Sequence, residues 1–522
     1  MRFTSVTLSK NTFWIFLATL AVIAMMLGGV ATSKYGAGVA SDSAKYLSVA
    51  QNLLDGKGLT IHRGEPLLSW PPLYPIILAG LSLLTGLDVF VAGWYFNVFL
   101  IGLNLFLSGV IFYRVFSEKP IFAYLASLFV LLSMSSLRIH AMISSDPFYL
   151  TLTLGFLLAA DDYIKERSYR AFAWMVLFSV LAPLQRYVGL AVAVTAEVVI
   201  LIENRKSIRI LLRDGFVLGL ASILPIGWWI IVHNIMTYGT LWGTGPAPVD
   251  VIKNTTLALT KMLHWFVPYH LLLMPVLTRP LIPLGALALV LFLINIKSRD
   301  RWRTWWQALT SSSVYPSMVS AVVYFAAVAL TILTGDHLDL LSDRYYVILL
   351  VPTAIFILLT FDTLITPHLR FSTRQVGYAL VLIFALWTVY PAYSIGEYLA
   401  SALVRGEPSA YNMFNTRAYH EMGAVSEMRR LRELQPEEIF YSNYVDAVWF
   451  YTRKPVALLP FGNVSDPKET YAGWPYDQPG YIVWFEPNEY KHYLSPQEIG
   501  EFANVELVYQ NKGGKIYYVR PR

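Results

Sequence analysis

Apolar residues recur in runs of membrane length along most of this chain, separated by short polar stretches. The run Thr12 to Thr32 opens the series, and further spans are predicted at Phe90 to Tyr113, Ile121 to Leu137, Pro147 to Tyr163, Ala171 to Leu184 and Tyr187 to Ile202. They continue at Gly215 to Ile235, Leu271 to Ile296, Val314 to Thr334, Tyr345 to Leu364 and Val376 to Ile395, about eleven in all by the length a bilayer demands. Helices are the expected spanning form, because such runs satisfy their own backbone and no strand-length alternation appears. Thr12 to Thr32 is longer than a cleavable signal core and reads as a retained first helix, with Arg2 and Lys10 before it. Pro71 to Gly86 is short for a span and reads as a helix lying at the interface.

From about Gly406 the pattern changes. Charges become frequent, TRAYHEMGAVSEMRRLREL has helical periodicity, and EIFYSN, VALLP and YIVWFE read as strands. VELVYQNKGGKIYYVR reads as a hairpin turning at Gly513–Gly514. The expected organisation is a membrane domain over 1–405, with a large first loop at 33–89, and a small α/β domain outside the membrane over 406–522.

Composition agrees with a membrane protein: 56% of residues are hydrophobic and 14% charged. No cysteine is present, which excludes disulfides and thiolate chemistry. The net charge of +6 resides largely in loops and lacks the aromatic platforms of a nucleic-acid site, so no nucleic-acid partner is expected. Arg114 and Lys119, then Lys165, Arg167 and Arg170, then Arg205, Lys206, Arg209 and Arg213 fall in alternate loops. Lys297, Arg299, Arg301 and Arg303, then Arg370 and Arg374, continue the alternation. By the positive-inside rule these loops are cytoplasmic, which puts the amino terminus inside and the carboxyl-terminal domain outside a cell membrane.

The candidate chemistry lies at the helix ends on that outer side. Asp42, in SDSAKYLSVAQNLLDGKGL, precedes Tyr46, Val49, Leu53 and Leu54 at helical spacing. An aspartate there can cap the helix, act as a general base toward an acceptor hydroxyl, or do both. Asp146, in SSDPFYL, starts a helix with Pro147 and could form an acid pair with Asp42. A shared oxygen-ligated cation, magnesium or manganese, is compatible with that pair, although no local motif demands a metal. Arg186-Tyr187 and Arg344-Tyr345 read either as interfacial snorkelling pairs or as phosphate clamps. Asp336, His337, Asp339 and Asp343 cluster beside Arg344, and His337 reads more readily as a loop histidine than as a ligand.

The string Asp-Ser-x-x-Tyr-x-x-x-Ala-x-Asn-Leu-Leu-x-Gly-x-Gly-Leu after a first transmembrane helix, followed by Trp-Pro-Pro-Leu-Tyr-Pro, resembles the bacterial branch of the protein mannosyltransferase superfamily. These are GT-C enzymes, and the aminoarabinose transferases of lipid A are among them. The resemblance implies a GT-C fold, a sugar donor on a polyprenyl phosphate and an unidentified hydroxyl acceptor. It further implies Asp42 as the base, with Arg186 and Arg344 as phosphate ligands. Asp146, Tyr46, Tyr345 and His337 are candidate substrate contacts. Serine follows Asp42 where many relatives carry a second acid, which weakens the case for a metal at this position. The competing class is a transporter or flippase. It would place ionisable residues at mid-membrane, whereas the candidate acids here sit at span ends.

Overall fold

The computed structural model describes residues 10–240, 262–266, 299–334, 342–368, 373–406, 414–464, 466–486 and 492–522. The expected span Leu271 to Ile296 and the residues Asp336, His337 and Asp339 lie outside the described residues. Among those described, six helices are long and apolar enough to cross a membrane, or seven if one bent pair counts as a single span.

In chain order the helices are α1 (Lys10–Ala31), α2 (Ser41–Leu54), α3 (Leu73–Thr85), α4 (Val89–Val115) and α5 (Pro120–Leu131). They continue with α6 (Met134–His140), α7 (Asp146–Glu166), α8 (Tyr169–Gln185), α9 (Leu190–Asn204) and α10 (Ile208–Trp228). Further helices cover Tyr315–Thr334, Leu350–Thr360 and Thr373–Arg405. Two of these differ from the expected spans. Ile121 to Leu137 is not one helix but α5 and α6, bent by 50°, because Ser133 accepts from Ser136 N–H and so caps a new start. The last helix runs ten residues past Ile395 to Arg405, with Pro391 inside it.

α1 and α4 pack most closely where glycine removes the side chain. A Cβ at Gly102 would meet the Ala21 carbonyl oxygen at 2.9 Å, and one at Gly109 would meet Leu17 at 2.2 Å. Charges on this bundle gather at the far ends of α4, α7 and α9. Arg114 pairs with Asp161 and Asp162, Lys165 with Asp161, and Arg167 with Glu203. The opposite end carries the first loop. There α3, thirteen residues and therefore about 20 Å long, is too short to cross about 30 Å of hydrocarbon. It packs between α2 and α4 and ends at Gly86, whose φ of 71° suits a residue without Cβ.

The carboxyl-terminal domain is a five-stranded sheet in the order β2-β1-β3-β5-β4. β1 (Ile439–Ser442) pairs in parallel with β2 (Val456–Leu458) and β3 (Gly480–Phe485). β5 (Gly514–Arg520) pairs antiparallel with β3 and with β4 (Asn504–Asn511). β3 is buried along its whole length, which matches its unbroken apolar sequence. The helix Gly423–Leu434 turns Ala424, Val425, Met428 and Leu431 inward.

One face of this sheet packs on the domain's own residues, among them Trp474, Ile482, Trp484 and Ile499, but the other face does not close its core alone. One cluster of buried residues joins Ala44, Leu47, Tyr74 and Leu78 of the first loop to Phe414, Val425, Phe440, Val448 and Trp449. The helix Val445–Thr452 lies against α2, Phe90 meets Phe450 edge-on at 5.4 Å, and Arg453 approaches Asp88 at 3.7 Å. His62, fully buried, sits 5.7 Å from the Trp449 ring.

Burial, followed by the charges of Arg63 and Lys45, lowers the His62 pKa from 6.5 to about 3. The unfolded chain therefore takes up a proton below about pH 6.5 that the folded chain refuses until near pH 3. The stability His62 contributes is present above that range and is lost as pH falls through it. Asp446 acts in the opposite sense, since burial raises its pKa and acid relieves the cost of its ionisation. Between pH 7 and pH 5 the native chain should lose more thermal stability than His62→Gln, read as the shift in Tm. Equal losses would assign the acid sensitivity elsewhere.

Candidate active site

Four charged side chains meet where the first loop closes over the bundle. Asp146 is the first residue of α7, with Pro147 next, and its side chain is only 3% exposed. Such a buried carboxylate needs charged partners, and it has two. One carboxylate oxygen accepts from Arg186 Nη1, and the other lies 3.2 Å from Arg344 Nε. Arg344 Nη1 donates in turn to Asp42 Oδ2 at 3.1 Å. The order Asp42–Arg344–Asp146–Arg186 alternates in sign and sums to zero.

Each member is placed by its own local structure. Arg186 leaves the end of α8 with its N–H on the Ala182 carbonyl, and its own carbonyl accepts from Gly189 N–H at 2.7 Å. A Cβ at Gly189 would lie 2.1 Å from the Ala182 oxygen, so this tight turn demands glycine. Arg344 lies in a 3-10 turn, Asp343–Tyr345, with its guanidinium 5.7 Å from the Tyr345 ring. Asp42 occupies the second position of α2, so Ala40, not Asp42, is the residue at the helix cap. The capping role open to Asp42 from spacing is thus not taken up, and its carboxylate is directed to Arg344 instead.

The loop and the α6–α7 junction are fastened together. Gly38 and Met142 form a parallel bridge, with Gly38 N–H on Ala141 O at 2.8 Å and Ile143 N–H on Gly38 O at 2.9 Å. Ser43 Oγ donates to Ile143 O at 2.5 Å, and Gln185 Nε2 to Ser145 O at 2.9 Å. Tyr46 is buried, its hydroxyl 3.3 Å from Ser145 Oγ and its ring edge-on to Trp70 and Tyr74. Burial, reinforced by the Asp42 charge, pushes the Tyr46 pKa up, so the phenol stays protonated as a donor.

The structure therefore brings together Asp42, Tyr46, Asp146, Arg186, Arg344 and Tyr345 from segments about 300 residues apart. His337 lies outside the described residues. Ser145, Gln185, Ser43 and Gly189 were missed, and their contacts are long-range with no spacing signature. The Ser-Ser before Asp146 and the Ser-Asp-Ser around Asp42 are the only local traces. Among the described residues no three His, Asp or Glu side chains form a group able to hold a metal. Asp42 and Asp146 both turn to Arg344 rather than to a shared centre, an arrangement that does not fit a divalent cation between them.

No family model and no curated protein sequence matches the chain. Solved structures do. ArnT from Cupriavidus metallidurans in the apo state aligns over 98% of both chains, with a TM-score of 0.59 at 15% identity. The same protein bound to undecaprenyl phosphate aligns over 98% of both chains, with a TM-score of 0.59 at 14% identity. The arabinofuranosyltransferase AftD from Mycobacteria aligns over 97% of this chain and 41% of its own length, with a TM-score of 0.51 at 14% identity. The chain is a mostly helical membrane protein with a small carboxyl-terminal sheet domain, and it resembles GT-C glycosyltransferases in fold.

Proposed function

We propose that this chain is a membrane glycosyltransferase that moves a sugar from a polyprenyl-phosphate donor to a hydroxyl acceptor. The observation that carries the reading is the alternating row Asp42–Arg344–Asp146–Arg186, set under the first loop at the ends of apolar helices. The ArnT structure that holds undecaprenyl phosphate gives the donor class a precedent on this fold.

Each residue then has a distinct task. Arg186 and Arg344 offer forked donors to the donor phosphate, and Asp146 holds both guanidinium groups in place. Asp42 exchanges its contact with Arg344 for the acceptor hydroxyl and takes its proton as that oxygen bonds to the anomeric carbon. The bond from that carbon to the phosphate oxygen breaks, the configuration inverts, and the leaving phosphate keeps the electron pair beside the two arginines. Tyr46 and Tyr345 line the same site, Tyr46 as a protonated donor. Purified protein should release lipid phosphate from a polyprenyl-phosphate sugar when an acceptor is present. Substrate moving between vesicle leaflets with no lipid phosphate released would instead mark a flippase.

The reaction belongs on the extracytoplasmic face in this reading, because the basic loops lie at the other ends of α4, α7 and α9. The cysteine-free chain makes this measurable. A single cysteine at Ser168 should resist an impermeant thiol reagent in intact cells, and one at Ser495 should react. The reverse pattern would turn the protein over.

Asp42→Asn should cut transfer by about 10²–10⁴-fold, the usual cost of removing a general base, while lipid-phosphate binding persists. Asparagine preserves size, and with Ala40 at the cap no capping bond is lost. Near-normal turnover would remove Asp42 from the chemistry.

Arg344→Ala should weaken donor binding by about 1.5–3 kcal/mol, as expected for a lost charge-assisted contact. Arg344→Lys should weaken it less, because charge survives and only the forked geometry goes. Titration of the folded variants with undecaprenyl phosphate checks the order, and unchanged affinity in Arg344→Ala would shift the clamp to Arg186.

A further inference from the structure

The first turn of α2 is gripped from two sides, and only one grip belongs to the membrane domain. Ser43 Oγ holds it to Ile143 O. Ser41 Oγ, on the other side of Asp42, donates at 2.5 Å to Oδ2 of Asp446 in the carboxyl-terminal domain. The two residues are 405 positions apart.

Asp446 is well placed for this contact. It lies in the first turn of the helix Val445–Thr452, and Ser41 is the first residue of α2, so one carboxylate faces the amino-terminal ends of two helices. Both ends favour negative charge. The Asp446 side chain is 13% exposed. Burial raises its pKa, whereas Lys45, Ser41 and Arg63 favour its charged form. Its second oxygen lies 3.4 Å from Nε2 of the fully buried His62, whose backbone N–H donates to Ser48 Oγ of α2 at 3.1 Å. Ala40 at the cap offers no side chain to the turn. Phe414 N–H donates to Val39 O just before the cap, and the Ser41–Asp446 bond is the side-chain contact that holds the first residue of the turn on the domain side.

We propose that Asp446 is a positioning residue for Asp42. Through Ser41 it fixes the first turn of α2, so the carboxyl-terminal domain completes a site whose reacting groups all lie in the membrane domain. The link to transfer chemistry rests on the function proposed above, but the mechanical link does not. Asp446 touches neither Arg186 nor Arg344, which Asp146 holds independently. Its loss should therefore lower kcat and spare donor binding. Misplacement of a reacting group by about 1 Å can cost about a hundredfold.

The decisive measurement needs no activity. In a chain carrying Asp42→Cys as its sole cysteine, the rate of maleimide labelling reports how firmly the turn is held. Adding Asp446→Ala should raise that rate severalfold, Ser41→Ala should raise it equally, and the two together should add nothing further. Asp446→Asn, which keeps an oxygen for Ser41, should return the rate toward the starting value. In otherwise native chains the same substitutions should lower kcat about ten- to a hundredfold, with undecaprenyl-phosphate affinity unchanged. Labelling that neither Asp446→Ala nor the milder Ser41→Ala accelerates overturns the proposal, whatever the transfer activity. Accelerated labelling in a protein whose native form transfers no sugar keeps the latch and retires the glycosyltransferase reading.

Discussion

A carboxylate that is almost wholly removed from water governs this structure. Asp146 can remain charged at 3% exposure only with cations close on both oxygens, and much of the surrounding architecture delivers them. The break between α5 and α6 and the short link to α7 turn the chain so that Asp146 starts a helix. Gly189 lets the chain after α8 fold back tightly enough to hold Arg186. Arg344 arrives from far along the sequence and spends its guanidinium on two acids at once. Removing one partner would leave an uncompensated charge at the edge of a low-dielectric slab.

Under the proposed function, that arrangement also sets how an anionic substrate would enter the site. A phosphate approaching two free arginines would meet strong attraction and leave slowly. Here each arginine is already matched by an acid, so a phosphate must exchange with a carboxylate rather than add to an open charge. Asp42, at 31% side-chain exposure, is the partner most easily displaced, and Asp146 the least. In the proposed reaction, donor binding and the freeing of Asp42 are then one event.

The sequence reveals this fold where physics is local. Apolar run length placed α1, α4, α9 and α10, and the shortness of Pro71 to Gly86 set α3 apart from the membrane-length helices. Short, nearly continuous apolar runs exposed β1 and β3. What stayed hidden depends on contacts across hundreds of residues. Spacing alone made Asp42 a plausible cap, and only the location of Arg344 shows where its carboxylate goes. Run length could not show the bend at Ser133, since a length criterion does not read the serine cap that starts α6. The span expected to end at Ile395 continues as helix to Arg405 with Pro391 inside it, as helices near lipid allow when neighbouring groups satisfy the freed backbone. The burial shared between α2 and the helix Val445–Thr452 has no signature in either segment alone.

That shared burial imposes an arithmetic on the rest of the chain. The first loop and the sheet domain are two walls of one apolar core, so they must occupy the same aqueous compartment. Whatever path the backbone follows from Asp88 to Phe414, it has to return to the side from which it left. Membrane crossings between those points can be added or removed only in pairs, and any span map that changes their number by one would pull the core apart.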